Sequence, residues 1–289
     1  MAPHLFLIHR SACTMTPIIS ATDLSLLLGN PNLIIIDCRH DLSDPTAGEN
    51  AWRTASLPGA AFLHLDRDLS GEIVPGKTGR HPLPVVANFT ATMAKLGLNP
   101  ESFVVAYDDK GGGIAARLWW MLQSLGHKRV AVLDGGIQAW VKQGLRVTEG
   151  KTPKPKMEAD LSHLATETFA GTCDRAQVDA RKNLADHTII DSRTAPRYSG
   201  EHEPIDPIAG HIPGASNFPW PDNLRNGQLK TRQELKIRFA ALSNEADHLV
   251  FYCGSGVTAC HNILAYHHAF GKMPQLYPGS WSEYLLKLS

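Results

Sequence analysis

The residues most suited to chemistry in this 289-residue chain form one short segment at positions 253 to 258, which reads Cys-Gly-Ser-Gly-Val-Thr. An apolar run from Leu249 to Tyr252 precedes the segment and predicts a buried strand, and a helical pattern follows it from Thr258 to Phe270. Cys253 should therefore lie at a strand end, over the N-terminus of a helix. Because curled backbone N–H groups and the helix dipole both favour an anion there, we expect a reactive thiolate.

The alternative interpretation of Cys253 is a small apolar residue at a strand end, since free cysteines are often buried and inert. Gly254 and Gly256 favour the reactive interpretation, because glycines in such a loop serve a close approach of the backbone to a bound group rather than packing. We therefore predict that Cys253 is a nucleophile and that the loop after it holds an anion.

The composition of the chain restricts its partners. Lys and Arg together number 28, as do Asp and Glu, so the formal net charge is zero. The charge balance therefore gives no indication of binding to nucleic acid. No apolar run is long enough to span a membrane. The five cysteines are scattered and odd in number, so they do not form a disulfide framework, which favours a reducing cytoplasm. No Cys or His spacing indicates a metal site, and we expect no cofactor.

The elements that must position Cys253 occur in an order that appears twice. A strand at Leu33–Asp37 ends in Asp-Cys-Arg, and a strand at Thr188–Asp191 ends in Asp-Ser-Arg. Each is followed further on by a Pro-Gly-Ala turn, at 58–60 and 213–215. Strands that alternate with helices predict an α/β fold with mostly parallel sheets, in which active loops lie at the carboxyl ends of strands.

The repeat divides the chain into two units of ordinary domain size. We expect an N-terminal extension at 1–15, a first unit at 16–147, a polar, Pro-rich linker at 148–165 and a second, catalytic unit at 166–289. Asp108 occupies the position of Cys253 in the first unit, and a carboxylate cannot act as a thiol nucleophile. The first unit should therefore be catalytically silent by itself.

The six residues from 253 to 258 resemble the active-site loop of the rhodanese superfamily, and more narrowly that of the 3-mercaptopyruvate sulfurtransferases. Thiosulfate-using members typically carry Arg-Lys after the cysteine. The resemblance extends from about Thr16 to Leu288 and implies two tandem rhodanese-like domains, each a mostly parallel sheet flanked by helices. It also implies that Cys253 takes sulfur from a small-molecule donor as a persulfide and passes it to a thiol, thioredoxin or cyanide.

The resemblance assigns roles to residues in both units. It implies a proton relay of Ser255, His81 and Asp66. Arg197 matches the family's first carboxylate-binding arginine, whereas the second, expected a few residues on after a Glu-Pro pair, is absent after Glu203-Pro204. The further binding residues implied by the loop are Gly254, Gly256, Val257 and Thr258.

His81 belongs to an insertion at Gly71–Pro84 that makes the first unit longer than the second. Its Gly, Pro and charged residues would by composition alone predict a solvated loop. The part at Gly79–Pro84 resembles the family's histidine-bearing segment, which favours a position in the cleft between the units.

The alternatives to a mercaptopyruvate enzyme are a thiosulfate:cyanide sulfurtransferase and a persulfide carrier or regulatory module without turnover. The loop has no cation beside Cys253, which counts against a dianionic donor such as thiosulfate. A cysteine phosphatase of this fold would need an arginine at position 259, where the chain has alanine. For Ser255 and Asp66 the alternative role is structural, as hydroxyl and carboxylate caps of a loop and a helix.

Overall fold

The computed structural model describes residues 16–165, 167–242 and 245–287, so the expected extension at 1–15 lies outside the described residues. Within these ranges the strands are β1 Ile18–Ile19, β2 Leu33–Asp37, β3 Ala61–Phe62, β4 Phe103–Tyr107, β5 Val130–Leu133, β6 Thr188–Asp191, β7 Ser216–Asn217, β8 Leu224–Arg225, β9 Gln228–Leu229, β10 Leu249–Tyr252 and β11 Gln275–Leu276. The helices are α1 Ala21–Leu27, α2 Ala47–Thr54, α3 Leu65–Asp68, α4 Val86–Lys95, α5 Ala115–Ser124, α6 Gly136–Lys142, α7 Arg175–Arg181, α8 Ala195–Ser199, α9 Arg232–Arg238, α10 Ala259–Phe270 and α11 Ser280–Tyr284.

The strands form two parallel sheets and a small antiparallel ribbon. The first sheet has the order β1-β5-β4-β2-β3, the second has the order β11-β10-β6-β7, and β8 pairs with β9. All the pairings within the two larger sheets are parallel among the described residues. Parallel strands with helices between them confirm the predicted α/β fold.

The central strands of both sheets are buried on both faces. All of β10 and the last four residues of β4 are buried, as expected for continuous apolar runs in parallel sheets covered by helices. Register pairs Tyr252 with Asp191 and Tyr107 with Asp37, so neighbouring strands end side by side in each sheet. The loops that follow β4 and β10 therefore emerge at the carboxyl edges, where the sequence predicts active loops.

One hydrophobic cluster joins the two sheets. All ten residues of α5 are buried, and most of α10 is buried with them. Trp119 and Trp120 of α5 belong to the same cluster as Ile263 and Leu264 of α10. A helix that is covered on every side needs a partner on its outer face. The two units supply that partner to each other, which holds their facing surfaces close together.

The insertion at Gly71–Pro84 consists of an exposed part and a buried part. Residues 72–77 are exposed, as composition alone predicts. Gly79 lies against the second unit, where a Cβ would stand 2.6 Å from the carbonyl oxygen of Gly279. The next residue, Arg80, donates its backbone N–H to Ser282 Oγ at 3.1 Å. The part that carries His81 is therefore held in the cleft between the units.

Candidate active site

Cys253 follows β10 directly and is buried. Its Sγ accepts the backbone N–H of Gly256 at 3.2 Å. Its own N–H donates to Ser280 Oγ at 3.1 Å, and its carbonyl accepts the N–H of Trp281 at 3.0 Å. The backbone of Cys253 is thus held by the first two residues of α11, while its sulfur lies inside the loop that leads into α10. This arrangement fits the predicted anion-holding loop.

The two glycines of the loop are required for different reasons. Gly256 has a φ of +76°, and a Cβ there would lie 2.4 Å from the carbonyl oxygen of Pro278, so a side chain would be both strained and blocked. At Gly254 a Cβ would lie 2.8 Å from Arg80 Nη2 and 3.3 Å from Arg197 Nη2. Gly254 therefore keeps open the approach of two guanidinium groups to the residue beside Cys253.

Ser255, His81 and Asp66 form a continuous hydrogen-bonded chain. Nδ1 of His81 lies 2.7 Å from Ser255 Oγ, and Nε2 lies 3.2 Å from Asp66 Oδ1. The hydrogen bond with His81 is the main reason that the pKa of Asp66 is lowered, so Asp66 is an ionised acceptor. The Nε2–H of His81 then donates to Asp66, and Nδ1 is left to accept the hydroxyl proton of Ser255.

Burial decides the charge of His81. The side chain is 7% exposed, and desolvation lowers its pKa, although the hydrogen bond to Asp66 acts in the opposite direction. His81 is therefore a neutral imidazole at pH 7. A neutral ring between a hydroxyl and a carboxylate can accept a proton on one side while the carboxylate stabilises the charge that forms.

Asp66 is held at the start of α3 by a histidine that uses both ring nitrogens. The backbone N–H of Asp66 donates to His64 Nδ1 at 3.0 Å, and His64 Nε2 donates to the carbonyl of Pro45 at 2.8 Å. His40, His64 and Asp66 form the one group with the spacing of metal ligands among the described residues. Because both nitrogens of His64 are engaged, the geometry fits a positioning role better than a metal site.

Arg117 is a buried residue of the site that the sequence interpretation missed. Its guanidinium, carried by α5, donates to the carbonyls of Gly256 at 3.0 Å, His81 at 3.0 Å and Pro82 at 3.3 Å. Burial lowers its pKa. One side chain thus ties the Cys253 loop to the segment of His81. The available signal was a single charged residue in the otherwise uncharged run of α5.

Arg197 lies at the site in an acidic setting. Its Nε and Nη2 donate to Glu203 at 2.8 to 3.1 Å, and Nη2 also lies 3.1 Å from Asp206 Oδ2. Arg80 pairs with the other carboxylate oxygen of Asp206. The expectation that the loop has no cation beside Cys253 therefore holds for the loop residues alone, because two cations reach Gly254 from outside it.

The other predicted binding residues differ in what they present. Val257 is buried and its side chain packs in the hydrophobic cluster, so only its backbone is available to a ligand. Thr258 immediately precedes α10 and is half-buried. The structure thus brings Cys253, Ser255 and Gly254 together with Arg197 and three residues of the first unit, namely Asp66, Arg80 and His81.

No helix in the described ranges combines the length and apolar character that crossing a membrane requires.

Comparison with known proteins points to one family. A family model described as a rhodanese-like domain matches residues 20–143 and 174–287. A Pseudomonas aeruginosa protein named "Probable 3-mercaptopyruvate sulfurtransferase" is 42% identical over 278 residues, which cover 93% of this chain and 94% of that protein. SseB of Mycobacterium tuberculosis, which has the provisional name of a thiosulfate sulfurtransferase, is 36% identical over 275 residues, covering 92% and 93%.

Solved structures agree with the sequence comparison. The 3-mercaptopyruvate sulfurtransferase from Leishmania major aligns with a TM-score of 0.80 and 32% identity, covering 92% of this chain and 73% of that one. The family model accounts for both sheets, and the repeat predicted from the sequence corresponds to its two matches. The chain belongs to the rhodanese family and contains two rhodanese-like domains in tandem.

Proposed function

We propose that the protein is a sulfurtransferase that takes sulfur from 3-mercaptopyruvate onto Cys253 and passes it to a thiol acceptor. The observation that carries this proposal is the Ser255–His81–Asp66 chain beside Cys253, because a proton relay is what a carbon leaving group requires. The names of the Pseudomonas aeruginosa and Leishmania major proteins support the same donor.

The first half-reaction transfers one sulfur atom and moves one proton. The Cys253 thiolate attacks the thiol sulfur of the donor, a sulfur–sulfur bond forms, and the bond between sulfur and carbon 3 breaks with its electron pair on carbon. The enolate that leaves needs a proton at carbon 3 to become pyruvate. Ser255 and neutral His81 can take the proton from the donor thiol and return it to that carbon, leaving a Cys253 persulfide anion.

The second half-reaction regenerates the enzyme. The sulfur of an acceptor thiol attacks the outer sulfur of the persulfide, the sulfur–sulfur bond breaks, and Cys253 leaves as a thiolate while the acceptor becomes a persulfide. The N–H of Gly256 stabilises the cysteine anion before and after transfer. A small thiol, reduced thioredoxin and cyanide are the acceptors we propose. Gly254, Val257 and Thr258 complete the loop around the outer sulfur.

The donor carboxylate needs a cation, and Arg197 is positioned to bind it. Its guanidinium lies 3.3 Å from the Cβ position of Gly254, next to the nucleophile. Glu203 orients it through paired hydrogen bonds. A forked guanidinium that is held in place matches a carboxylate in two-point recognition.

Thiosulfate is the second candidate donor, and one observation favours it. Two guanidinium groups reach Gly254, so an inorganic dianion would also meet positive charge at the loop. The provisional name of the Mycobacterium tuberculosis relative points the same way. Against it, Glu203 and Asp206 offset the two arginines, and a leaving sulfite has no use for the His81 relay.

The test compares both donors at saturating concentration of one acceptor. We expect kcat/KM for 3-mercaptopyruvate to exceed that for thiosulfate by about 100-fold or more, the scale of one relay. A higher value for thiosulfate would reverse the assignment. Stoichiometric persulfide on Cys253 with no turnover on either donor would instead identify a carrier or regulatory module.

We also propose where the reaction takes place and which part of the chain carries it. We place the protein in the cytoplasm and the catalytic unit at 166–289 after a linker at 148–165. The cysteines within the described ranges, Cys38, Cys173, Cys253 and Cys260, are unpaired, which supports a reducing compartment.

A further inference from the structure

We propose that His40, in the loop after β2, is a positioning residue of the proton relay. Its Nε2–H faces the carboxylate of Asp66 and keeps that group turned towards His81. The inference rests on the proposed function, because it concerns the relay that serves that reaction. His40 itself touches neither the sulfur nor Ser255, so it acts only through Asp66.

One oxygen of the Asp66 carboxylate is left without a donor. Oδ1 lies 3.2 Å from His81 Nε2, whereas Oδ2 accepts no hydrogen bond from the described residues. Two imidazole nitrogens face Oδ2, namely His64 Nδ1 at 3.8 Å and His40 Nε2 at 4.0 Å. Nδ1 of His64 already accepts the backbone N–H of Asp66, so it has no proton to donate. In the described part of the chain, His40 is therefore the side chain that can direct an N–H at this oxygen.

The surroundings of the His40 ring select one tautomer. The side chain is 2% exposed, and its Nδ1 is buried without a hydrogen-bond partner among the described residues. A proton on Nε2 directs an N–H dipole at the ionised carboxylate of Asp66. A proton on Nδ1 would instead turn a lone pair towards that anion and leave a buried donor without an acceptor. The ring therefore carries its proton on Nε2.

His40 acts as a neutral dipole rather than as a cation. Burial is the main cause that lowers its pKa, and the charge of Asp66 acts in the opposite direction. The other titratable groups that face it are His64 before α3, His81 in the cleft and Lys110 after β4, and each lowers the pKa further. At 4.0 Å the contact with Asp66 is longer than a hydrogen bond and is an attraction between a dipole and a charge. With Oδ2 attracted to His40, the carboxylate rotates less freely and Oδ1 stays at His81.

The backbone that carries His40 is held on two sides. The residue before it, Arg39, forms a buried ion pair with Asp37 at 2.6 Å. Helix α2 lies directly against this backbone at Gly48, where a Cβ would overlap the carbonyl oxygen of Arg39 and stand 3.2 Å from the Cα of His40. The ring of His40 also meets that of His64 edge to face, with centroids 5.2 Å apart. His40 is thus fixed before a substrate binds, as a group that orients another must be.

The experiment compares His40→Gln with His40→Phe. The amide nitrogen of glutamine can take the position of Nε2 and remains an uncharged donor, whereas phenylalanine keeps a ring but has no N–H. With 3-mercaptopyruvate we expect His40→Phe to lower kcat by about 10-fold with KM within about twofold, and His40→Gln to stay within about threefold of the wild-type kcat. With thiosulfate neither variant should differ from the wild type by more than about twofold, because that donor does not need the relay.

The matched control is His127→Phe. His127 is a buried histidine of the same domain that precedes β5, at the edge of the sheet opposite the active loops. Its replacement should leave kcat unchanged. His40→Met, which also has no N–H but adapts more easily to the space, repeats the comparison where the phenylalanine protein does not fold.

A second measurement does not depend on turnover. The ring of His81 is titrated by NMR in protein that contains isotope-labelled histidine, and its signals are those that His81→Ala removes. Burial lowers the pKa of His81 and the hydrogen bond to Asp66 raises it, so a carboxylate that turns away should lower the pKa further. We expect a pKa about 0.5 lower in His40→Phe and an unchanged pKa in His40→Gln. Arg80 and Arg117, which also face His81, are the same in every variant.

Four results would overturn the role of His40. Its phenylalanine variant could match His127→Phe in kcat, both donors could lose activity equally, His40→Gln could be as slow as His40→Phe, or the pKa of His81 could be the same in all the proteins. If the wild-type protein does not turn over 3-mercaptopyruvate but the pKa of His81 differs as expected, the proposed function fails and the positioning role stands.

Discussion

The loops after β4 and β10 occupy equivalent places in the two domains, but one surrounds a carboxylate and the other surrounds a cysteine sulfur. In the first loop the carboxylate of Asp108 accepts the N–H groups of Lys110, Gly112, Ile114 and Ala115, each at 2.8 Å. In the second loop Cys253 Sγ accepts the N–H of Gly256 at 3.2 Å. The Asp108 loop carries its own permanent anion, whereas the Cys253 loop keeps its donors for an anion that the reaction makes.

The scaffolds beneath the two loops are alike. Asp37 pairs with Arg39 at the end of β2, and Asp191 pairs with Arg193 at the end of β6. The hydroxyl of Tyr107 accepts the N–H of Leu57, and the hydroxyl of Tyr252 accepts the N–H of Ile212. Because the supports are the same, the difference in chemistry arises at the strand end itself and in what the opposite domain adds.

Each domain completes the loop of the other. The first domain brings His81 and Arg117 to the Cys253 loop. The second brings His261, whose Nε2 donates to the carbonyl of Gly111, and a ribbon whose Leu229 N–H donates to Asp134 Oδ1 at 2.7 Å. Each domain therefore contacts the loop of the other, but the contacts serve different purposes. The Cys253 loop gains a proton relay, whereas the Asp108 loop gains only packing and structural hydrogen bonds.

The largest expected effect on activity comes from replacing the cysteine of the reactive loop. Cys253→Ser should reduce sulfur transfer to background, because the persulfide can form only on that thiol. Mass spectrometry of the wild-type protein after donor treatment should show one added sulfur on Cys253. Adding Asp108→Cys to the serine variant should restore nothing, since no relay faces that loop. Turnover in Cys253→Ser, or sulfur mainly on Cys260, would break the comparison.

The next effect concerns what the first domain contributes to the reaction. His81→Ala should lower kcat for 3-mercaptopyruvate by roughly 10²- to 10⁴-fold, the range of a general acid–base group, and should affect thiosulfate much less. Since burial keeps the pKa of His81 below its usual 6.5, the wild-type rate should fall on the acid side only below that pH, as the ring gains a proton and stops accepting one. Steady-state rates from pH 5 to 8 on both donors measure this. Equal losses on both donors would mean that His81 only supports the loop.

The sequence predicts the reactive loop and its silent counterpart because both are local patterns. Strand, loop and helix follow one another around Cys253, and the repeat identifies Asp108 without any knowledge of packing. Arg117 and Arg80 are different, because their partners Gly256 and Asp206 lie 139 and 126 positions away. Nothing in the neighbouring residues of an arginine reveals a partner at that distance, and His81 was found only through a resemblance.

A smaller effect is expected on the free energy of unfolding, and it should differ between substitutions in the two loops. Asp108→Ala should lower the free energy of unfolding by about 3 kcal/mol or more, because the N–H groups of Gly112, Ile114 and Ala115 would be buried without acceptors. The partly buried N–H of Lys110 would lose its acceptor as well. Cys253→Ala should cost less, since one N–H donates to the sulfur. Urea unfolding of the two variants measures the difference. Similar losses in both would show that the Asp108 carboxylate does not act as a built-in anion.

The smallest expected effect is on stability and appears only on acidification. It concerns the contact between α10 and the Asp108 loop. His261 is 1% exposed; Asn223 donates to its Nδ1, and burial is the main cause that lowers its pKa to about 4. The unfolded chain binds a proton at this residue near pH 6.5 and the folded protein does so only near 4. The contribution of neutral His261 to the free energy of unfolding is therefore fully present above pH 6.5 and is lost as the pH falls towards 4.

His261→Gln should remove that loss while keeping a donor for the Gly111 carbonyl. With each pKa unit worth about 1.36 kcal/mol, the variant should retain ~2 to 3 kcal/mol more of its pH 7 stability at pH 4.5 than the wild-type protein does. Urea unfolding at both pH values measures this, and His202→Gln on the surface is the matched control. If His261→Gln and His202→Gln lose stability in parallel on acidification, the imidazole of His261 is not what makes the packing over the Asp108 loop sensitive to acid.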